Sequence, residues 1–159
     1  MILKSGEGWK DALRGLLSES IFVPEERLLI FERAIIAGIE GDRLFFVHLI
    51  IPQLENSIRL IFGRNKLKTT SVYPNGVQQE RDLNELLRDP EADNIFGKDL
   101  VWEMRTLLIE KAGANFRNRI CHGLMSLEEI NNSPAELLLW LVIHLIVGFP
   151  RNSDGVKHE

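Results

Sequence analysis

The sequence predicts an all-α fold, a single bundle of five to six helices with a short β-hairpin-like excursion near residues 68–80. Apolar residues recur at spacings of three and four through most of the chain, which is the period of a helix. The 159 residues, 45% of them apolar, can bury one core without disulfides or metals. No repeat or long linker divides them. We therefore predict one domain over 1–159, with a helical extension at 1–22 and a flexible tail at 150–159.

Composition limits the class of protein further. Cys121 is the single cysteine and cannot form an internal disulfide, so we expect a reducing, cytoplasmic compartment and a buried, inert thiol. The longest apolar run, Leu137–Phe149, contains His144 and is too short to span a bilayer. The first residues lack the apolar run of a signal peptide. We expect no membrane partner. The net charge of −4 argues against non-specific binding along nucleic acid.

The N-terminal third is predicted to form three helices. A first, amphipathic helix covers 9–17. The second begins at Pro24, since proline is tolerated in a first turn, and reaches about Gly38. Asp42 is a candidate N-cap for a long central helix over 43–63. That helix contains a proline, so we expect a kink within it.

The middle of the chain changes character. Residues 69–80 combine strand-forming side chains with the turn signal Pro74-Asn75-Gly76, which predicts the hairpin. Residues 83–87 follow as a short helix that Pro90 prevents from continuing. We expect a polar turn near Asp93. Beyond it, three more helices are predicted, over 98–111, from 114 or 115 to about 125, and over 134–149.

Residues 115–123 carry the most informative polar side chains. On a helical wheel Asn115, Asn118 and His122 fall within an arc of about 60°. Arg117 lies about 140° from His122 in a straight helix. The two can therefore meet only through the long arginine side chain, a distorted helix, or a second copy of the chain. A separate stripe on the same helix is expected to be buried, and it consists of Phe116, Ile120 and Leu124.

Two interpretations of this segment stay open from the residues alone. A solvated polar helix face is the commoner explanation of such a composition. The other interpretation is a phosphate-handling site. Arginine presents a planar fork to phosphate oxygens, histidine transfers a proton near neutral pH, and asparagine orients either group.

The motif residues resemble a known family. Arg117-Asn118-x-x-x-His122-Gly123 resembles the RNxxxHG signature of domain of unknown function 4209. Upstream, Pro52-Gln53-Leu54-Glu55 through Arg59 resembles the same family's Pro-Gln-x-Glu-x-x-x-Arg pattern, and the resemblance spans roughly 40–147. More broadly, an arginine followed by a histidine at this spacing is similar to the motif of the HEPN superfamily.

The resemblance implies a small helical bundle, often a homodimer, that binds or cleaves RNA without a metal or other cofactor. It assigns Arg117 to stabilising charge on the phosphorane, His122 to acid–base work on the 2′-hydroxyl, and Asn118 to orientation. In active members the arginine and histidine of two protomers meet in a cleft between them. The substrate-binding set expected around these three consists of Asn115, Arg119, Arg59 and Glu55.

Glu55 and Arg59 have two possible roles. They are either a surface pair at i and i+4, or they face the motif, where Glu55 holds an arginine and Arg59 adds positive potential. The second role agrees with charge patterning, because 56–79 and 111–127 contain basic residues and no acid. If the fold joins these segments, they form a local positive site on an acidic chain.

A function from another class also fits the sequence. The protein is then a non-catalytic helical module for protein interaction or dimerisation, or a piece of a larger protein. In that case Asn118 and His122 bind backbone carbonyls, and Arg117 holds a helix end or Glu55. Enzymatic activity stays open at this point. No metal is expected, since no histidine or cysteine pair has ligand spacing.

Overall fold

The computed structural model describes residues 8–151, which form nine α-helices and one two-stranded antiparallel sheet. The helices are α1 (Gly8–Ser18), α2 (Leu28–Glu40), α3 (Arg43–Arg64), α4 (Leu83–Leu87), α5 (Pro90–Phe96), α6 (Lys98–Leu108), α7 (Phe116–Cys121), α8 (Leu127–Asn131) and α9 (Ala135–Gly148), and the strands are β1 (Thr70–Val72) and β2 (Gln78–Glu80). The predicted all-α fold with a short hairpin is confirmed.

The pair formed by α2 and α3 is the centre of the bundle. Gly41 ends α2 with a φ of 88°, a left-handed conformation that costs glycine little. The Asp42 carboxylate then accepts a hydrogen bond from the Phe45 N–H over 3.0 Å, so the predicted N-cap is confirmed. A Cβ at Gly38 would lie 3.1 Å from the Phe46 ring, so the absence of a side chain lets the two helices approach closely.

The hydrophobic core lies around α3, which packs against α2, α4, α7, α8 and α9. Its largest fully buried side chains are Phe22, Phe31, Phe46, Phe62 and Phe116. Within residues 8–151, α3 is the one helix long and apolar enough, by length and composition, to cross a membrane. Half of its most apolar stretch is buried inside the bundle. The helix continues through Pro52 to Arg64.

Two short helices were not predicted. The prediction of a polar turn near Asp93 is wrong, because a helix, α5, lies there. Pro90 follows the end of α4 and also begins α5. Proline suits that place, since the first N–H of a helix has no intrahelical partner. Asp89 caps α5 by accepting from the Glu91 N–H over 3.0 Å. The second addition, α8, follows a capping box between Ser126 and Glu129.

Helix α7 is shorter than predicted. It begins at Phe116, after Asn115 adopts a left-handed φ of 51°, and it ends at Cys121. Gly123 has a φ of 65°, which turns the chain away from the helix axis. Leu124 therefore lies outside the helix and is 63% exposed, so its expected burial is wrong, whereas Phe116 and Ile120 are buried as predicted.

The hairpin has the predicted place and turn. Thr70 pairs with Glu80, and Val72 pairs with Gln78. Its two connections to the bundle lie at α3 and α4, and the Arg81 N–H donates to the Thr69 carbonyl over 2.8 Å just beyond the ladder. The hairpin thereby brings the start of α4 beside α3.

The ends of the predicted domain lie partly outside the described residues, namely 1–7 of the N-terminal extension and 152–159 of the tail. Within the described part of the extension, residues 8–18 are helical, as α1, and residues 19–22 are not. Pro150 pairs with Ser20, and the Arg151 N–H donates to the Glu19 carbonyl over 2.6 Å. The first two residues of the predicted flexible tail are therefore held against the bundle.

Candidate functional site

Helices α3 and α7 are joined by an ion pair between the two motif segments. The Arg117 Nε donates to Glu55 Oε2 over 2.9 Å, and the two side chains are only 16% and 18% exposed. Glu55 Oε1 also accepts from the Arg59 Nη2 over 3.1 Å. Glu55 therefore has the second of its two predicted roles: its carboxylate faces the motif and binds Arg117.

The remaining guanidinium nitrogens of Arg117 also have partners. Nη1 donates to Asn118 Oδ1 over 3.1 Å, and Nη2 lies 3.8 Å from Asp82 Oδ2. Burial disfavours the charged form, but the hydrogen bond and the charge of Glu55 outweigh it and raise the pKa of Arg117 above its ordinary value. Arg117 is thus a permanent cation whose donors are directed at protein groups.

The two asparagines of the motif form one cluster. Asn118 Nδ2 donates to Asn115 Oδ1 over 2.7 Å and reaches the Ile109 carbonyl at 3.5 Å. Asn118 Oδ1 also accepts from the Asn84 Nδ2 over 3.4 Å. Asparagine tolerates the left-handed conformation that Asn115 adopts. The cluster therefore ties the start of α7 to the end of α6 and to α4.

Arg59 connects α3 to the end of the hairpin. Its Nη2 donates to the Arg81 carbonyl over 3.0 Å, and its Nε lies 3.2 Å from Glu80 Oε2. With Glu55 as a third partner, its charge is balanced locally. The carboxylates of Glu55 and Glu80 beside Arg59 offset the positive potential that was expected of it.

His122 stands apart from this network. It is the C-cap residue of α7 and is exposed, and its ring forms no hydrogen bond or ion pair with any residue in 8–151. Its backbone N–H donates to the Asn118 carbonyl over 3.2 Å, as a last helical turn requires. Arg117 and His122 are not joined within one copy of the chain, as the helical wheel anticipated.

Arg119 is also separate from the network. Its Nη2 donates to Glu129 Oε1 over 2.5 Å across the exposed turn between α7 and α8. Five predicted site residues are thus linked to one another, and Arg119 and His122 are not. The linked residues are Glu55, Arg59, Asn115, Arg117 and Asn118.

The expectation of a buried thiol at Cys121 is wrong, because α7 ends there and leaves the residue exposed. Surrounding atoms still shield the sulfur in part. This partial burial raises the pKa of Cys121, and the charge of Arg117 opposes the effect. A raised pKa disfavours the reactive thiolate.

Asp82 and Asn84 belong to the site although the sequence analysis did not select them. Asp82 is the N-cap of α4, and its side chain accepts from the Glu85 N–H over 2.9 Å. The Glu85 side chain accepts in turn from the Asp82 N–H, which completes a capping box. The Asp-x-x-Glu spacing was visible in the sequence and indicates this cap. No signal in the sequence indicates that Asp82 contacts Arg117.

The charges of the site do not sum to a positive value. Arg59 and Arg117 face three carboxylates, those of Glu55, Glu80 and Asp82. Within residues 8–151, no group of three or more histidine, cysteine, aspartate or glutamate side chains is placed to hold a metal. The arrangement can tie α3, α4, α7 and the hairpin together, and both of its guanidiniums are already paired with carboxylates.

No protein-family model, curated protein or solved structure matches the chain. The resemblance to domain of unknown function 4209 and to the HEPN superfamily therefore stays a prediction. What is established is the geometry. Motif residues from α3 and α7 meet in a half-buried network, and the motif histidine lies in solvent beyond its end.

Proposed function

We propose that this protein is a non-catalytic helical module for protein interaction, in which the Arg/Asn motif stabilises the fold. The observation that carries the proposal is the ion pair of Arg117 with Glu55. A residue that stabilises a phosphorane must direct its donors at the substrate. Here Nε, Nη1 and Nη2 of Arg117 face Glu55, Asn118 and Asp82 instead.

Recruiting Arg117 to a phosphate would be costly. Glu55 would keep only Arg59 as a partner in a half-buried position. A buried charge that loses its partner destabilises a protein far more than an exposed one. The same two residues therefore serve stability well and catalysis poorly.

The surface supports a role in binding other chains. On α9 three large apolar side chains are mostly exposed, namely Leu137, Trp140 and Val147 at 56%, 71% and 55%. Tryptophan is enriched at protein interfaces, where its burial contributes much of the binding energy. The exposed thiol of Cys121 fits a reducing compartment, so we propose a cytoplasmic location.

The proposal is tested by an RNA cleavage assay in EDTA with the full chain. We expect no cleavage by the wild type above a mock purification, and none by His122→Ala. The matched control is His48→Ala, which removes another exposed histidine, outside the motif. Cleavage by the wild type and by His48→Ala that disappears in His122→Ala would overturn the non-catalytic assignment.

RNA binding or metal-independent cleavage is the second candidate function, and a specific observation favours it. Arg64 is the last residue of α3, and Lys66 and Lys68 follow it within four positions; all three are exposed and form no ion pair with any residue of 8–151. Such a free basic cluster attracts phosphates. For cleavage, the exposed His122 would have to meet an arginine of a second copy.

This second candidate has its own test, fluorescence anisotropy with a labelled single-stranded RNA at two salt concentrations. It predicts salt-sensitive binding that weakens in the double variant Lys66→Glu/Lys68→Glu and persists in Lys98→Glu, where an exposed lysine on α6 is changed. Equal binding by both variants would remove the basic cluster from consideration.

A further inference from the structure

Helix α9 presents an apolar stripe to solvent. Leu137, Trp140 and Val147 are 56%, 71% and 55% exposed, and His144 between them is also exposed. The opposite side of the helix is buried in the core through Leu138, Leu141, Val142 and Leu145. A helix that is apolar on its solvent side as well as its core side has an unburied contact surface.

The spacing of the stripe is that of a helix–helix seam. From Leu137 to Trp140, His144 and Val147 the steps are three, four and three residues, as for positions a and d of a heptad. Side chains at this spacing pack into the side of a second helix. The stripe therefore fits a helix better than it fits a strand or a small molecule.

The stripe also matches itself when its direction is reversed. Two copies of α9 can pack antiparallel about a two-fold axis that crosses the stripe midway between Trp140 and His144. Leu137 of one copy then lies opposite Val147 of the other. Trp140 then lies opposite His144. Each large side chain faces a smaller one, and the same patch serves both copies, as a two-fold interface requires.

The charges favour this partner. Glu136, the only charged side chain of α9, is paired with Arg43, so the stripe has no unpaired charge to bury. In the antiparallel arrangement Glu136 faces Gly148, which has no side chain. The positive end of each helix dipole lies beside the negative end of the other, which is also favourable.

The area needed for a stable dimer extends beyond the stripe. A standard interface buries about 800 Å² per partner, of which Trp140 supplies on the order of 150 Å². Helices α2 and α3 both contact α9, and each has an exposed apolar side chain beside the turn that joins them, Ile39 and Leu44. The proposed interface draws the rest of its area from these two helices.

We propose that the solvent face of α9 is a homodimer interface on which a second copy of this chain docks antiparallel. The proposal rests on the proposed interaction function and names its partner. Trp140 is the central contact, and Leu137 and Val147 close the two ends of the seam.

The direct test is disulfide cross-linking of the full chain with Cys121→Ser as background. Leu137→Cys and Val147→Cys are combined in one chain. The two positions are about 15 Å apart along one helix, too far for a bond within a copy. We expect the double variant to form a covalent dimer on mild oxidation and either single variant to stay uncross-linked. Cross-linking by Leu137→Cys alone would overturn the antiparallel arrangement.

Sedimentation velocity at protein concentrations up to about 100 μM provides the second measurement. We expect a wild-type dimer, at least tenfold weaker association of Trp140→Glu, and unchanged association of the matched Trp102→Glu on α6. Circular dichroism verifies that each variant is folded. A monomeric wild type, or a Trp140→Glu variant that still dimerises, would overturn the α9 interface. Neither result bears on the non-catalytic assignment, which the RNA cleavage assay tests separately.

Discussion

The Arg117 Nε donates to Glu55 Oε2 over 2.9 Å, and this pair links two helices whose residues are separated by 62 positions in sequence. Both side chains are mostly shielded from solvent. Arg59 and Asn118 extend the link to the hairpin and to the end of α6. The motif residues thus stabilise the packing of α7 on α3, and this role decides which substitutions matter.

Replacing Arg117 is expected to destabilise the fold, whereas replacing its neighbour Arg119 is not. Arg117→Gln leaves the half-buried Glu55 with one partner fewer, at a cost of about 1–3 kcal/mol in the free energy of unfolding. Arg119→Gln breaks a more exposed pair with Glu129, so we expect a clearly smaller loss from it. Urea unfolding of both variants measures the difference. Equal losses would contradict the structural role of Arg117.

The stability of the α4–α5 junction is expected to depend on acid pH through Asp89. The hydrogen bond from the Glu91 N–H and the pairing with Arg81 hold the pKa of Asp89 below its ordinary value. Because the folded pKa is the lower one, the contribution is complete above pH of about 4 and is lost as pH falls through the folded pKa.

Asp89→Asn removes the negative charge but keeps the helix cap, because asparagine is also a good N-cap residue. We expect it to cost about 1 kcal/mol at pH 7, with a loss that shrinks as the pH falls below about 4. The control is Asp99→Asn, which changes an exposed acid that has no ion pair in residues 8–151. Thermal unfolding at several pH values measures both. A loss from Asp89→Asn that is the same at pH 7 and pH 3 would rule out the charge as its cause.

Two glycines are expected to respond oppositely to alanine. A Cβ at Gly113 would lie 2.0 Å from the Thr106 carbonyl oxygen, so Gly113→Ala must shift the loop that leads into α7. We expect a loss of about 1–3 kcal/mol. Gly15 lies within α1 with no atom within 4 Å of such a Cβ, and Gly15→Ala is expected to add about 0.5–1 kcal/mol. Chemical denaturation measures the free energy of unfolding of both variants. A Gly113→Ala variant as stable as the wild type would contradict the prediction, because it would show that the loop shifts without cost.

Local signals in the sequence predicted most elements of the fold. Asp42 and the Pro74-Asn75-Gly76 turn each act through residues close in sequence, and the structure has each in its predicted place. Pro90 was misjudged because proline ends one helix and begins the next equally well.

The site was only partly predictable, for a physical reason. A helical wheel assumes that the helix continues, but α7 is short because Asn115 before it and Gly123 after it adopt left-handed conformations. The wheel separated Arg117 from His122, but it had no information on what Arg117 contacts. Asp82 approaches Arg117 through the hairpin, and no spacing in the sequence encodes that approach.

The central claim is that Arg117 acts by holding Glu55, and a double-mutant cycle tests it most directly. Urea unfolding is measured for the wild type, Glu55→Gln, Arg117→Gln and the double variant. We predict a coupling free energy of about 1–2 kcal/mol, because each single variant removes the same interaction. A coupling below about 0.3 kcal/mol would mean that the two side chains act independently, and it would contradict this account.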